Sequence, residues 1–295
     1  MNFFKIIDQL AEVDADVLDR FDSRRAVFGS LGTLAKRSAL AATPLFLGAL
    51  FQKAYAGTTS TPVDVLQYAL TLELFEQDFY KKVQASSQYM GAAAADKAAI
   101  DQIKKHEDSH VTLLSGTIKS LGGTPVTGVT FKASVFATLA TFNGGTYATS
   151  QLGIAQLLED TGVRAYKGRA GELLGTDLLT VALQIHSVEA RHASHIRTMR
   201  GQLAWVNPGD DAAAHPTYTS GVTGPTSTTS PFGYGIPAYT TPSPTENGNT
   251  TQSGVPITTG LGAMYSASDA AAAFDEYLQA AEVLDASRAG GLVGA

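Results

Sequence analysis

The chain has 295 residues, a formal net charge of −6 and only 16% charged residues. Binding to a phosphate backbone needs clustered Lys and Arg; the net charge makes no electrostatic case for nucleic acid, and beyond Arg200 the only such residue is Arg288, so no nucleic-acid partner is expected. The lack of cysteine removes disulfides, thiolate zinc sites, iron–sulfur clusters and cysteine nucleophiles together, leaving imidazole and carboxylate as metal ligands, a set suited to iron, manganese or zinc.

Residues 1–57 read as a targeting segment. A polar leader reaches Asp22-Ser23-Arg24-Arg25-Ala26-Val27-Phe28, an apolar stretch runs from Ser38 to Phe51, and Ala54-Tyr55-Ala56-Gly57 has the small-x-small form of a cleavage site. The paired arginines resemble a Tat export signal, which predicts a protein exported to the periplasm or cell surface. The alternative is an N-terminal helical segment of a cytoplasmic protein. It draws on Asp8, Glu12, Asp14, Asp16 and Asp19, where export signals favour positive charge. No stable membrane span is expected, because the apolar run falls short of ~20 residues and contains Pro44.

Residues 58–206 carry helical periodicity four times over. Pro62 stands at a first-turn position after Thr59-Ser60-Thr61, and Leu66, Ala69, Leu70, Glu73, Gln77 and Tyr80 follow at helical spacing. A second stripe is Ile100, Ile103, Glu107, His110, Leu114 and Ile118, stopped by Gly122-Gly123 and Pro125. A third is Leu152, Ala155, Glu159, Gly162, Tyr166 and Ala170. The fourth is Leu178, Ala182, Ile185, Glu189, His192 and Ile196, expected to end near Asn207-Pro208. The fold class is therefore all-α, a four-helix bundle with a long crossover connection, Thr124 to Ala148, between its halves.

Residues 207–265 are rich in Thr, Ser, Pro and Gly and should lack regular structure. Tyr218, Phe232, Tyr234 and Tyr239 are dotted through them, which suggests a loop laid over the bundle. Within residues 266–295, an alanine-rich amphipathic helix is expected from Ser266 to about Ala289, with Phe274, Tyr277, Leu278, Ala281 and Leu284 on one face.

The chemistry lies where glutamates interrupt the apolar stripes. Glu107-Asp108-Ser109-His110 and Glu189-Ala190-Arg191-His192 both read E-x-x-H, so both side chains of each motif emerge on the apolar face of a helix. Burying a lone carboxylate costs several kcal/mol unless it is paired or bound to metal. Four interior glutamates and two interior histidines call for a compensating cation, and two divalent ions supply about the right charge. A second regularity joins the halves: Glu73 is followed by Tyr80, and Glu159 by Tyr166, at the same spacing. Each half thus reads E-x6-Y and then E-x-x-H, and the glutamates and histidines of this plan resemble those of ferritin-like dimetal proteins, with one Glu from each of two helices and a Glu-x-x-His from each of the other two. The candidate ligands are Glu73, Glu107, His110, Glu159, Glu189 and His192. Glu76 is an alternative to Glu73 that lacks its spacing to tyrosine.

Leu158-Glu159-Asp160-Thr161-Gly162-Val163-Arg164-Ala165-Tyr166, Val188-Glu189-Ala190-Arg191-His192-Ala193 and Ala69-Leu70-Thr71-Leu72-Glu73 with Asp78-Phe79-Tyr80 resemble the ferritin-like family that includes plant desiccation-related proteins, fungal stress proteins and exported bacterial members. The resemblance covers residues 60 to 205 and implies a closed bundle around a buried di-iron or dimanganese centre. In that arrangement Glu107 and either Glu159 or Glu189 bridge the ions, while His110 and His192 each cap one. Tyr80 and Tyr166 would hydrogen-bond to the ligands from behind, with Asp108, Asp160 and Arg191 as further supports. His106, His186 and His195 are expected to be solvated or partly buried.

The leading functional expectation is dioxygen- or peroxide-dependent redox chemistry at two iron ions, as a ferroxidase or in peroxide detoxification during stress. The alternatives are a catalase-like enzyme with two manganese ions and a non-catalytic stress or surface protein with structural metals. The long tail favours a monomer or small homo-oligomer over a storage cage.

Overall fold

The structure is a computed structural model, and it describes residues 60–219, 229–239, 242–246, 251–252, 255–256, 266–273 and 275–294. The expected export segment, residues 1–57, lies outside the described residues.

Helix α1 (Pro62–Gln84) starts on a capping box. The Thr61 hydroxyl accepts from the Asp64 N–H, the Asp64 carboxylate accepts from the Thr61 N–H, and Pro62 fills the first turn, where its missing donor costs nothing. Helix α2 (Ala94–Ser120) buries Ile100, Ile103, Glu107, His110, Leu114 and Ile118, the stripe read from the sequence, and stops where Gly122 takes φ 81°. Helix α3 (Gln151–Ala170) is buried around its whole circumference from Gln151 to Tyr166. Helix α4 (Asp177–Met199) buries Leu178, Ala182, Ile185, Glu189, His192 and Ile196. It ends at Met199, short of Asn207-Pro208, because Gly201 adopts φ 73° and turns the chain out of the helix.

Short links join α1 to α2 and α3 to α4, and each pair packs together along its length. The crossover between the pairs anchors itself with aromatic rings. Phe131 stacks on Phe75 at 5.3 Å and meets Phe79 at 5.0 Å, and Leu139 and Phe142 are buried further along. Apolar residues fall into two clusters. On α2, Ile100 and Ile103 belong to one and Leu114 and Ile118 to the other; on α4, Ile196 belongs to the first and Leu178, Ala182 and Ile185 to the second. Glu107, His110, Glu189 and His192 occupy the stretches between, as a polar layer inside the bundle.

The tail packs over α3. Tyr218 and Tyr234 are buried, and Phe232 and Tyr239 pack against the core. In place of one helix from Ser266 to about Ala289, there are two short ones, α5 (Ala267–Ala273) and α6 (Ala280–Val283). Between them the chain leaves helical geometry because its backbone pairs with α3: Leu278 N–H donates to the Arg164 carbonyl at 3.1 Å. Gly168 permits that approach, since a Cβ there would overlap the Leu278 carbonyl. Phe274 lies outside the described residues. Thr130–Phe131 pairs antiparallel with Val293–Gly294, which ties the chain's end to the crossover. Among the described residues, no helix is long and apolar enough to cross a membrane.

Candidate metal centre

Each long helix contributes to the polar layer: Glu73 from α1, Glu107 and His110 from α2, Glu159 from α3, Glu189 and His192 from α4. All four glutamates are 0% exposed. Their ligand atoms form two overlapping groups, each within 4.8 Å: Glu73, Glu107, His110 and Glu189, and Glu107, Glu159, Glu189 and His192. The six sequence candidates thus converge, and Glu107 and Glu189 are common to both groups.

The two shared carboxylates divide their oxygens between the halves. His110 Nδ1 lies 3.3 Å from Glu107 Oε2 and 3.2 Å from Glu189 Oε1. His192 Nδ1 lies 3.1 Å from Glu107 Oε1 and 3.6 Å from Glu189 Oε2. The terminal glutamates serve one half each, Glu73 Oε2 at 3.0 Å from His110 Nδ1 and Glu159 Oε2 at 3.1 Å from His192 Nδ1. The tyrosines cross over. Tyr80 on α1 donates to Glu159 Oε1 on α3, and Tyr166 on α3 donates to Glu73 Oε1 on α1. Each therefore supports the glutamate of the opposite helix.

The electrostatics of the cluster are those of a site short of positive charge. Burial pushes Glu107 and Glu159 up to about 7, although the neighbouring imidazoles pull both down. Glu189 is raised by burial and by the charges of Glu107 and Glu73. Burial also acts on Glu73, but its hydrogen bonds from His110 and Tyr166 and the His110 charge hold it below the usual carboxylate range. Burial would lower both histidines, yet the surrounding carboxylates lift His110 to about 12 and raise His192 strongly. Even so, Glu107 Oε1 and both oxygens of Glu189 are buried without a hydrogen bond. Such orphaned acceptors on carboxylates cost several kcal/mol unless a cation meets them. Two divalent ions carry four positive charges, which equal the four carboxylates with both imidazoles neutral. The donor set, oxygen and imidazole nitrogen without sulfur, fits iron or manganese.

Residues 61–202 match the sequence family described as ferritin-like domain. This segment is a ferritin-like domain. A search of curated proteins gave no significant match.

Several residues around the ferritin-like centre stand elsewhere than expected. Asp108 faces outward, where Lys104 Nζ and Gln77 Nε2 donate to it, both at 2.6 Å, because it follows Glu107 on the solvent side of α2. Asp160 follows Glu159 and turns towards the tail, accepting from Arg197 at 2.6 Å and from Tyr218. Arg191 is exposed. None of the three supports a ligand. Glu76 is buried but outside both groups, and burial together with the charges of Glu189, Glu159, Glu107 and Glu73 raises it well above the usual range. His195 is exposed and His186 half-buried.

His106 is the residue that sequence reasoning passed over. Its Nδ1 lies 2.9 Å from His192 Nε2, and the two rings meet edge to edge with their planes within 7° and their centroids 5.1 Å apart. Its signal was the position directly before the E-x-x-H of α2, where Val188 stands in the matching position of α4.

Proposed function

We propose that Glu73, Glu107, His110, Glu159, Glu189 and His192 hold two iron ions, and that the protein uses them in dioxygen- or peroxide-dependent redox chemistry, as a ferroxidase or a peroxide-consuming protein in stress protection. The observation that carries this reading is the sharing of Glu107 and Glu189 between two four-residue groups in a layer short of positive charge. Bound iron would supply a one-electron redox couple and an affinity for oxygen ligands. The protein's own part is to position and to shield. Glu107 and Glu189 present one oxygen to each half, Tyr80 and Tyr166 fix the terminal carboxylates, and the two apolar clusters exclude bulk water.

The same donor set suits manganese, and a catalase-like protein with two manganese ions is the second reading. Elemental analysis of natively expressed protein, purified without chelator, separates them. Two irons per chain, with consumption of ferrous ion plus dioxygen or of peroxide, support the first. Manganese with rapid oxygen release from peroxide supports the second. Bound metal without turnover points to a structural role, and a metal-free protein that takes up neither ion sinks all three.

We also infer export. The support is Arg24-Arg25 ahead of the apolar stretch Ser38 to Phe51 and the small-residue site near Ala56. Cell fractionation tests it: Arg24→Lys with Arg25→Lys should hold the full-length chain in the cytoplasm, and unchanged partitioning would refute it.

A further inference from the structure

The two halves of the centre are alike in carboxylates and tyrosines but unlike behind their histidines. His192 Nε2 is met by His106 Nδ1 at 2.9 Å, with the two ring planes nearly parallel, as an in-plane hydrogen bond requires. His106 is itself held, its Nε2 lying 2.7 Å from the side-chain amide of the exposed Gln102. His110 also turns Nδ1 towards the carboxylates, but no protein group among the described residues hydrogen-bonds to its Nε2. The asymmetry is written in the chain: the residue before the E-x-x-H glutamate is His106 on α2 and Val188 on α4, and a valine offers no acceptor.

A ring nitrogen binds a metal only through its lone pair, so the other nitrogen must carry the proton, and a partner accepting that proton fixes both tautomer and ring plane. With His192 Nε2–H donating to His106 Nδ1, the nitrogen left to give up its proton and bind a metal is Nδ1, which faces Glu107, Glu159 and Glu189. His106 then carries its own proton on Nε2, and the Gln102 amide, turned to present its oxygen, accepts it. This ring needs no further ordering when a metal arrives. The His110 ring is held only from the Nδ1 side, by Glu73 and Glu107, so no described residue behind it fixes its tautomer and plane once that nitrogen gives up its proton to a metal.

We propose that His106 is a positioning residue that makes the two halves unequal, so that the half built on Glu159 and His192 takes its ion first and holds it more tightly. The proposal rests on the reading that the six residues bind two ions. Its consequence is stepwise loading, with a half-filled protein populated at low metal.

The test is an anaerobic cobalt(II) titration of the metal-free full-length chain, followed by calorimetry and by visible d–d absorption. Wild type should bind in two resolved steps. His106→Ala should weaken the tighter step by roughly 10–100-fold, the usual effect of removing a partner behind a ligand, and shift its d–d bands while leaving the weaker step in place. His106→Asn, whose side-chain oxygen stands in for Nδ1, should recover part of the loss. The metal-free variants should keep the wild-type circular dichroism and melting temperature, which separates positioning from folding. Two cobalt ions bound in indistinguishable steps, or a His106→Ala variant that weakens both steps equally or neither, would overturn the inference and leave the two-ion reading standing. No cobalt binding by wild type would overturn the two-ion reading itself, and the inference with it.

Discussion

Each terminal glutamate has its two oxygens assigned to different neighbours. Glu159 accepts from Tyr80 at Oε1 and faces His192 with Oε2; Glu73 accepts from Tyr166 at Oε1 and faces His110 with Oε2. The phenol thus leaves a single free oxygen aimed at the centre. Tyr80→Phe and Tyr166→Phe keep the ring volume but free the carboxylate to rotate, and each should lower metal affinity roughly 10–100-fold. Competition against a chelator measures it, and a change under two-fold in both variants would refute the assignment. Protons compete for the same atoms. His110, pushed up to about 12, and Glu107 and Glu159, pushed up to about 7, must all be deprotonated to ligate, so metal uptake releases protons. Affinity should therefore rise with pH and fall steeply below about 7, and titration in a weak buffer should acidify the solution. A pH-independent affinity would contradict the ligand set. These six residues were legible because a Glu or His on an apolar stripe has few bland explanations. His106 was not, because its place before the E-x-x-H gives no hint of its partner, which is 86 positions away on another helix.

At the scale of elements, α3 explains where periodicity stopped being informative. Its inward stripe was readable, but its outer face carries Gln156, Asp160, Thr161 and Arg164, which look like a solvated surface and are in fact buried. The tail supplies their partners. Gln156 donates to Tyr218 at 3.4 Å, Thr161 meets Thr217 at 2.9 Å, and Arg164 donates to the carbonyls of Thr217, Glu276, Pro244 and Tyr277. That long-range pairing also breaks the alanine-rich helix expected after Ser266, since a helical backbone at residues 275–279 would have no free N–H for the Arg164 carbonyl. Arg164 is the staple: Glu246 lies 3.4 Å from its Nε, and burial pushes that carboxyl up to about 8 against the pull of the guanidinium. Arg164→Ala leaves several buried carbonyls without their donor and Glu246 without its counter-charge, and should cost about 3–5 kcal/mol, the range for breaking a buried pair. Urea unfolding checks the magnitude. Hydrogen exchange should place the first loss of protection at residues 213–218 and 275–284, with α1 and α2 unchanged.

At the scale of the whole molecule, the polar layer sets a conflict between binding and stability. Four helices meet at carboxylates that the metal-free protein cannot fully satisfy, so the centre subtracts from stability until cations arrive. Ions that bind only the folded state then stabilise it by about 2.7 kcal/mol at one hundred times the dissociation constant. Glu189 is the place to separate the two effects, because both its oxygens are orphaned and its carboxyl is raised by burial and by Glu107 and Glu73. A carboxyl with a folded-state pKa above its unfolded value binds more protons when folded, so its presence lowers stability as pH rises through that interval. Glu189→Gln keeps the shape and removes the charge. The metal-free variant should melt higher than metal-free wild type, by a margin that widens from acid to neutral pH. Its rise in melting temperature on adding ferrous or manganous ion should be largely lost. Calorimetry of both proteins, with and without chelator, measures all four states. A metal-free Glu189→Gln protein less stable than wild type would mean that the layer is a self-sufficient hydrogen-bonded network. A full metal-dependent rise in the variant would remove Glu189 from the ligands.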